Sequence, residues 1–403
     1  MKFLIIAQDL RISGTSEGMV SRSFIAKLRA VYPKSVIDIE YLKFHPSEDQ
    51  LQLLPVNNII EEIINFRVPF YIKWINKIYW RLYHESLNKR YIQKQYAKYI
   101  AKIDYEVYDV IFIRSAGLDY EAIIAAKDLP VLKKAIINFH DPYPVFWCAG
   151  NDRPLDNLEL FRFKKMQQVV LQAKKCITPA RTLTNDMGML YNTTNKFHTL
   201  PHQYDETVFD LTNHTKVFKK SKKITICYHG AIQFGRNIID LLDAYKELVD
   251  LNNSIKEHTE FILRLKKMSD INYLNKKYAE TDNIIVLKSQ NFSNASYEQT
   301  HLADINIILE NGPYYSNVLV GKAPFLASIE KPILSISPNR SELRGIIKDE
   351  KYIADSNNKE DIKQKLKNLI SDWNEAKKPV HPFGDYFSDD NFKRSLDAIL
   401  YNE

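Results

Sequence analysis

The sequence predicts an α/β protein made of two Rossmann-like, doubly wound domains. Three observations carry that prediction. The length of 403 residues exceeds what one hydrophobic core usually holds. Short β-branched runs alternate with helical patterns from end to end, the signature of parallel sheets. A strand, a glycine-bearing loop and a helix open both halves, first at Lys2 and again at Ile224.

In chain order, Lys2 to Ala7 is a buried strand, followed by a loop with Ser13, Gly14, Thr15, Ser16, Glu17 and Gly18 and a helix from about Met19 to Val31. Gly14 and Gly18 do not fit GxGxxG, and no acidic residue closes the next strand at the dinucleotide spacing, so a nicotinamide cofactor is disfavoured. Further strands are expected at Ser35 to Tyr41, Val110 to Ile113, Ala135 to Phe139, Cys176 to Thr178 and Phe197 to Leu200, with a helix around Tyr120 to Ala126. Pro201 to Asp205 and the polar stretch through Lys223 read as a linker. The second half supplies strands at Ile224 to Tyr228, Glu260 to Leu265, Asn283 to Leu287, Ile305 to Leu309 and Pro332 to Ser335, and closes on a helix from Phe387 to Tyr401. The expected domains are therefore 1–203, carrying a helical insertion at 66–103, then 204–385, then a helix in 386–403 that returns to the first domain.

Composition narrows the class. With 45% hydrophobic and 26% charged residues the chain can bury ample core and is not compositionally disordered. Cys148, Cys176 and Cys227 are isolated, which excludes a disulfide framework and a cysteine-rich zinc site and points to a reducing compartment. The apolar run in MKFLIIAQDL is too short for a signal peptide, and no stretch approaches the ~20 apolar residues of a membrane span. The expected location is cytoplasmic, with attachment to the inner face of the plasma membrane left open. A net charge of +7 permits anionic partners without demanding them.

The most unusual composition lies between Phe66 and Ile103. Nine basic residues from Arg67 to Lys102 stand against one acid, Glu85, among many tyrosines and tryptophans. Lys73, Lys77 and Arg81 share one helical face, as do Arg90, Lys94, Lys98 and Lys102. Such helices suit an anionic membrane surface. The plain alternative is a pair of solvated helices docked by their aromatic side, and nucleic acid is not expected.

Three stretches carry candidate chemistry. Gly230, Gly235 and Arg236 sit between an apolar strand and a helix, where backbone N–H groups, the helix dipole and a guanidinium stabilise a phosphate; a solvated arginine in an ordinary turn is the alternative. His140-Asp141 stands at the end of a buried strand, where open α/β sheets place ligands, so that His140 can reach a substrate hydroxyl and Asp141 can orient or charge it. Glu310 to Pro313 and Ser316, Asn317 through Gly321-Lys322 form a polar loop after a strand with a lysine entering a helix, a plausible anion site. It is no Walker loop, since Ala323 follows Lys322 and no glycine stands five residues before Gly321.

Together these residues resemble the GT-B nucleotide-sugar glycosyltransferases, in particular the retaining family numbered four. Gly14, Thr15, Ser16 and Gly18 look like its acceptor-side loop, and His140-Asp141 like the histidine region beside the transferred sugar. Gly230 and Arg236 look like the opening of its donor domain, and Ser316 to Leu334 like its lysine-bearing segment, with Lys322 in the lysine's place. The sequence departs from the pattern where a ribose-binding glutamate is usual: Phe325 stands there, and Glu310 is followed eight residues later by Val318. The resemblance implies two domains facing across a cleft. It also implies a retaining transfer, without cofactor or metal, from a nucleotide-diphosphate sugar to a saccharide or lipid-linked saccharide in cell-surface glycan synthesis (capsule, lipopolysaccharide or exopolysaccharide). Gly230, Arg236, Lys322, Glu310, Ser316 and Asn317 would serve the donor. A nucleotide-sugar epimerase of the same fold and a non-catalytic basic membrane-surface protein remain the alternatives.

Overall fold

A computed structural model of the chain describes residues 1–64 and 66–401. Backbone contacts divide it into two units, one holding Met1–Cys148, Asp152–Val208 and the residues from Asp389 on, the other Ala149–Asn151 and Phe209–Ser388. Residues 402 and 403 of the expected closing segment lie outside the described residues.

In the first unit, β1 (Lys2–Ala7), α1 (Ser16–Val31), β2 (Val36–Lys43) and β3 (Asn58–Ile63) come first, and α2 (Phe70–Tyr83) and α3 (Leu87–Ile100) follow. Then β4 (Val110–Arg114), α4 (Glu121–Ala125), β5 (Ala135–Asn138), α5 (Asn157–Gln172), β6 (Lys175–Thr178), α6 (Arg181–Leu190) and β7 (Phe197–Thr199) alternate. The strands form one parallel sheet in the order β3-β2-β1-β4-β5-β6-β7. Phe3 to Ala7 are all buried. That is why β1 reads as an unbroken apolar run: a central parallel strand is covered on both faces. Its Ile5 pairs with Ile39 of β2 on one side and Phe112 of β4 on the other. The chain winds outward from β1 in one direction and from β4 in the other, so the β1–β4 junction is the topological switch point.

The second unit contains β8 (Ile224–Gly230), α7 (Ile238–Leu251), α8 (Asn253–His258), β9 (Thr259–Leu265), α9 (Met268–Lys277), β10 (Ile284–Lys288) and α10 (Phe292–Tyr297). It continues with β11 (Ile305–Leu309), α11 (Ala323–Ser328), β12 (Ile333–Ser337), α12 (Glu342–Ile346), β13 (Ile353–Asp355) and α13 (Lys359–Glu375). Its sheet runs β10-β9-β8-β11-β12-β13, again parallel, with the switch between β8 and β11. The closing helix, α14 (Asp389–Tyr401), counts with the first unit. There Phe392 packs edge-on against Phe24 at 6.0 Å, and Lys175 Nζ donates to the carbonyl of Ile399 at 2.7 Å.

Three findings differ from the sequence reading. β3 was not anticipated, because NIIEEI is a sheet-edge strand with two adjacent glutamates, Glu61 exposed and paired to Lys43 at 2.8 Å and Glu62 half-buried. The polar stretch before Lys223 is not a bare linker. Phe209 packs on Phe292 at 4.9 Å, and Phe218 joins a buried cluster with Cys227, Ile262 and Ala303. The aromatic side of α2 does not dock inward, since none of its residues is fully buried.

Candidate functional site

At the carboxyl edge of the first sheet, the loop after β1 folds around the buried carboxylate of Asp9. Its Oδ1 accepts from the Arg11 backbone N–H and from Arg11 Nε, both at 3.0 Å, and its Oδ2 accepts from Thr15 Oγ1 at 3.0 Å. Arg22, wholly buried on α1, donates to the carbonyl of Leu10 at 3.1 Å and pins the same loop. Because the Thr15 hydroxyl serves Asp9, it does not cap α1, whose first residue is Ser16. Gly14 turns the loop at φ +89°, and Gly18 lets α1 press against it. A Cβ at Gly18 would lie 2.5 Å from the Arg11 carbonyl oxygen and 2.7 Å from its nitrogen, both backbone atoms with no rotamer to change. Gly18→Ala is therefore expected to cost about 1–3 kcal/mol in a denaturant titration, as overpacked substitutions do; a loss under roughly 0.5 kcal/mol, the ordinary scatter of neutral changes, would contradict this close approach.

The histidine beyond β5 meets this loop. His140 is 3% exposed, its Nδ1 lies 2.5 Å from Glu17 Oε2, and Ser16 Oγ lies 3.3 Å from its Nε2. Glu17 Oε1 accepts from Ser21 Oγ at 3.1 Å and lies 3.7 Å from an Arg114 amino group. Arg114, at the end of β4, also donates Nε to Ser21 Oγ at 2.9 Å and covers the Phe24 ring. His202 stacks on His140 with ring centres 4.4 Å apart. Burial works against charge on His140, but Glu17 and then Asp141 outweigh it and hold its pKa above the usual value. Burial, reinforced by His140 and Arg114, drives His202 far below that value, so it stays neutral. The stack thus joins an imidazole disposed to carry a proton to one that does not.

The carboxylate touching His140 is Glu17, where the sequence reading looked to Asp141 because it is adjacent. Asp141 raises the imidazole's pKa through its charge. Its carbonyl accepts from the Tyr120 hydroxyl at 2.5 Å, and its amide donates back to that oxygen at 3.3 Å. Arg114 and His202 were also missed, since neither belongs to a motif whose spacing marks chemistry.

In the second unit, the loops after β8 and β11 lie side by side at the switch point. The Gly312 N–H donates to the carbonyl of Phe234 at 2.7 Å, tying them together. Arg236 Nε donates to Asn311 Oδ1 at 2.9 Å, and another guanidinium nitrogen donates to the carbonyl of Ala231 at 3.0 Å. Lys322 Nζ donates to the carbonyl of His229 at 2.5 Å and stands 4.4 Å over the Tyr228 ring. A Cβ at Gly230 would come within 3.4 Å of that ammonium and 2.7 Å of Tyr228 Oη. The structure therefore brings Lys322 to Gly230 and Arg236, gathering the three from two separate stretches. Although Lys322 as a residue is half-buried, its ammonium end is enclosed, and burial, with Arg236 adding, brings its pKa down to about 7. Beneath it, His229 lies 3.3 Å from Glu298, which also binds Arg264; burial, then Lys322 and Arg264, keep His229 neutral.

The remaining donor-side candidates are placed differently. Glu310 follows β11 and is almost wholly buried, and burial raises its pKa to about 7, opposed by the nearby Ser337 and Ser341 and the positive Arg344. The Ser316 amide donates to the carbonyl of Arg340 at 2.8 Å, and Asn317 Oδ1 accepts from the Ala149 N–H at 3.2 Å. At the start of α7 the Asp240 N–H is already capped by Asn237 Oδ1 at 3.1 Å, so this helix end offers an anion less than the sequence suggests. Phe325 is interior, its ring 5.8 Å from Phe292.

No protein-family model matches the sequence, and no curated protein matches it either. Solved structures do match over nearly the whole chain. A glycosyltransferase from Rickettsia africae superposes with a TM-score of 0.63 at 15% identity, covering 100% of this chain and 99% of its own. Sucrose-phosphate synthase from Thermosynechococcus elongatus gives 0.59 at 10% identity, covering 99% and 96%. The UDP-GlcNAc 2-epimerase of Neisseria meningitidis, solved with UDP-GlcNAc bound, gives 0.56 at 12% identity, covering 100% of both chains. Two doubly wound parallel units, matched over nearly the whole chain by those transferases and epimerases, give the chain the GT-B fold.

Proposed function

We propose that the protein is a glycosyltransferase that moves a sugar from a nucleotide-diphosphate donor to a saccharide or lipid-linked saccharide acceptor in cell-surface glycan synthesis. The observation that carries this reading is the meeting of Lys322 and Arg236 around Gly230 at the switch point of the second sheet. Two cations and close-approaching backbone there suit a diphosphate, which gains charge as the glycosidic bond breaks. They supply the stabilisation that a divalent ion supplies in other designs, so a resident metal is not needed. Because the leaving phosphate can take the acceptor proton on the face it departs from, retention of the anomeric configuration is the expected outcome. On the first unit, His140, held by Glu17, would donate to a hydroxyl of the transferred sugar.

One observation favours an epimerase of the same fold. The buried Glu17–His140 pair is a carboxylate and imidazole at proton-transfer distance, a combination that acid–base chemistry on a sugar can also use. A single experiment separates the two: the protein is incubated with UDP-, GDP-, CMP- and dTDP-sugars with and without saccharide acceptors, and the products are followed by NMR in the presence of a chelator. Acceptor-dependent release of nucleoside diphosphate from a UDP-, GDP- or dTDP-sugar, with a retained anomeric centre, is expected; the CMP-sugar, which could release only CMP, is the control. Turnover of the donor alone to a stereoisomer would replace this reading with the epimerase.

A further inference from the structure

We infer that α2 is an in-plane anchor that lays its apolar face into the interface of an anionic lipid bilayer. This rests on the surface of the first unit and is independent of the reaction catalysed. A surface helix on a soluble domain normally turns its apolar stripe inward. On α2 the half-buried stripe is Ile72, Asn76 and Tyr79, with Asn76 Oδ1 accepting from the Leu87 N–H at 2.7 Å. Phe70, Tyr71, Trp74, Ile75, Ile78 and Leu82 face solvent instead, with Phe70 81% and Leu82 67% exposed. Side chains of this size on one outward face form a patch that marks a partner or membrane site.

Charge complementarity selects the occupant. Lys73, Lys77 and Arg81 are exposed at i, i+4 spacing along the border of the apolar face. Arg90, Lys94 and Lys98 repeat that line on the exposed side of α3. None of these six has an ion-pair partner among the described residues, and the single acid between Arg67 and Lys102, Glu85, is bound to Lys165 at 2.7 Å. A second copy docked through α2 would bring two such cationic borders together, which like-charge repulsion opposes. Anionic lipid headgroups complement them, and tryptophan and tyrosine belong at the headgroup level. Fourteen helical residues span roughly 21 Å, short of the ~30 Å hydrocarbon core, so the helix lies along the surface. No helix among the described residues is long and apolar enough to cross a membrane.

The test is vesicle flotation of the full chain with phosphatidylcholine alone and with increasing phosphatidylglycerol, at low and high salt. The wild type is expected to float with the phosphatidylglycerol vesicles and to be partly released by salt. A Lys73→Glu, Lys77→Glu, Arg81→Glu variant should bind at least about tenfold less, and Trp74→Glu with Ile78→Glu should also lose binding, both melting like the wild type because none of these residues is buried. Wild-type protein left unbound by phosphatidylglycerol vesicles at low salt would overturn the inference. Variants that float as well as wild type would do the same, as would a dimer in ultracentrifugation that Trp74→Glu with Ile78→Glu abolishes in a protein indifferent to vesicles. Equal flotation with phosphatidylcholine alone would overturn the anionic preference.

Discussion

Lys322→Ala is expected to weaken binding of UDP, or of whichever of GDP, CMP and dTDP binds best, by about 10- to 100-fold while leaving the matching nucleoside nearly untouched. A charge-assisted hydrogen bond to phosphate contributes about 1.5–3 kcal/mol net, and each 1.4 kcal/mol is roughly tenfold in affinity. The ammonium is poised to give that bond, since its present acceptor is only the carbonyl of His229. Its pKa of about 7 adds a pH signature. Only the protonated form attracts the diphosphate, and the diphosphate raises the pKa once bound. Affinity for a nucleotide sugar, whose linked diphosphate has no group titrating near neutrality, should therefore be flat on the acid side of that value. Above it, affinity should fall by up to about tenfold per pH unit. Lys322→Arg should abolish the slope, because a guanidinium stays charged throughout. Isothermal titration across pH decides the matter, and equal losses for nucleotide and nucleoside would remove the phosphate assignment.

His140→Ala and Glu17→Gln should each lower turnover by roughly 100-fold with donor affinity little changed, the range of one lost positioned hydrogen bond or proton in a transition state. Glu17 is a positioning residue here, so its replacement needs a readout beyond rate. In the wild type the His140 pKa is raised by Glu17 and Asp141 against burial, so its charged form stabilises the fold fully below the unfolded value of ~6.5, and that contribution fades as pH rises through the folded value. In Glu17→Gln the larger opposing charge is gone, burial prevails, and the imidazole should titrate below ~6.5 by NMR. An unchanged His140 titration in Glu17→Gln would break the link between the two residues. A His140→Ala variant that fails to fold would make the pair structural.

How much of this could be read in the sequence follows from the physics of each element. β1, β4, β8 and β11 are central parallel strands, so both faces are apolar and the runs stand out. β3 hides because an edge strand needs only one covered face and tolerates Glu61 and Glu62. For α2 the periodicity gives a face but not the side on which anything covers it, and here the apolar face is the uncovered one. Gly230, Arg236 and Lys322 were findable because each belongs to a strand–loop–helix junction, and such junctions converge at a switch point. The Glu17–His140 contact was not, because it depends on β1 and β5 flanking β4 in space, an order that the sequence does not state.

The place of α14 bears on how the chain folds as it is made. Phe392, Leu396 and Ile399 are interior residues of the first unit, yet they follow the whole of Phe209–Ser388. At synthesis rates of about 5–20 residues per second, roughly 10–40 s separate emergence of the first unit's body from emergence of its last helix. Throughout that interval the surface around Phe24 lacks its cover. The nascent first unit is thus an exposed intermediate by construction, and its completion is tied to the second unit having already been made.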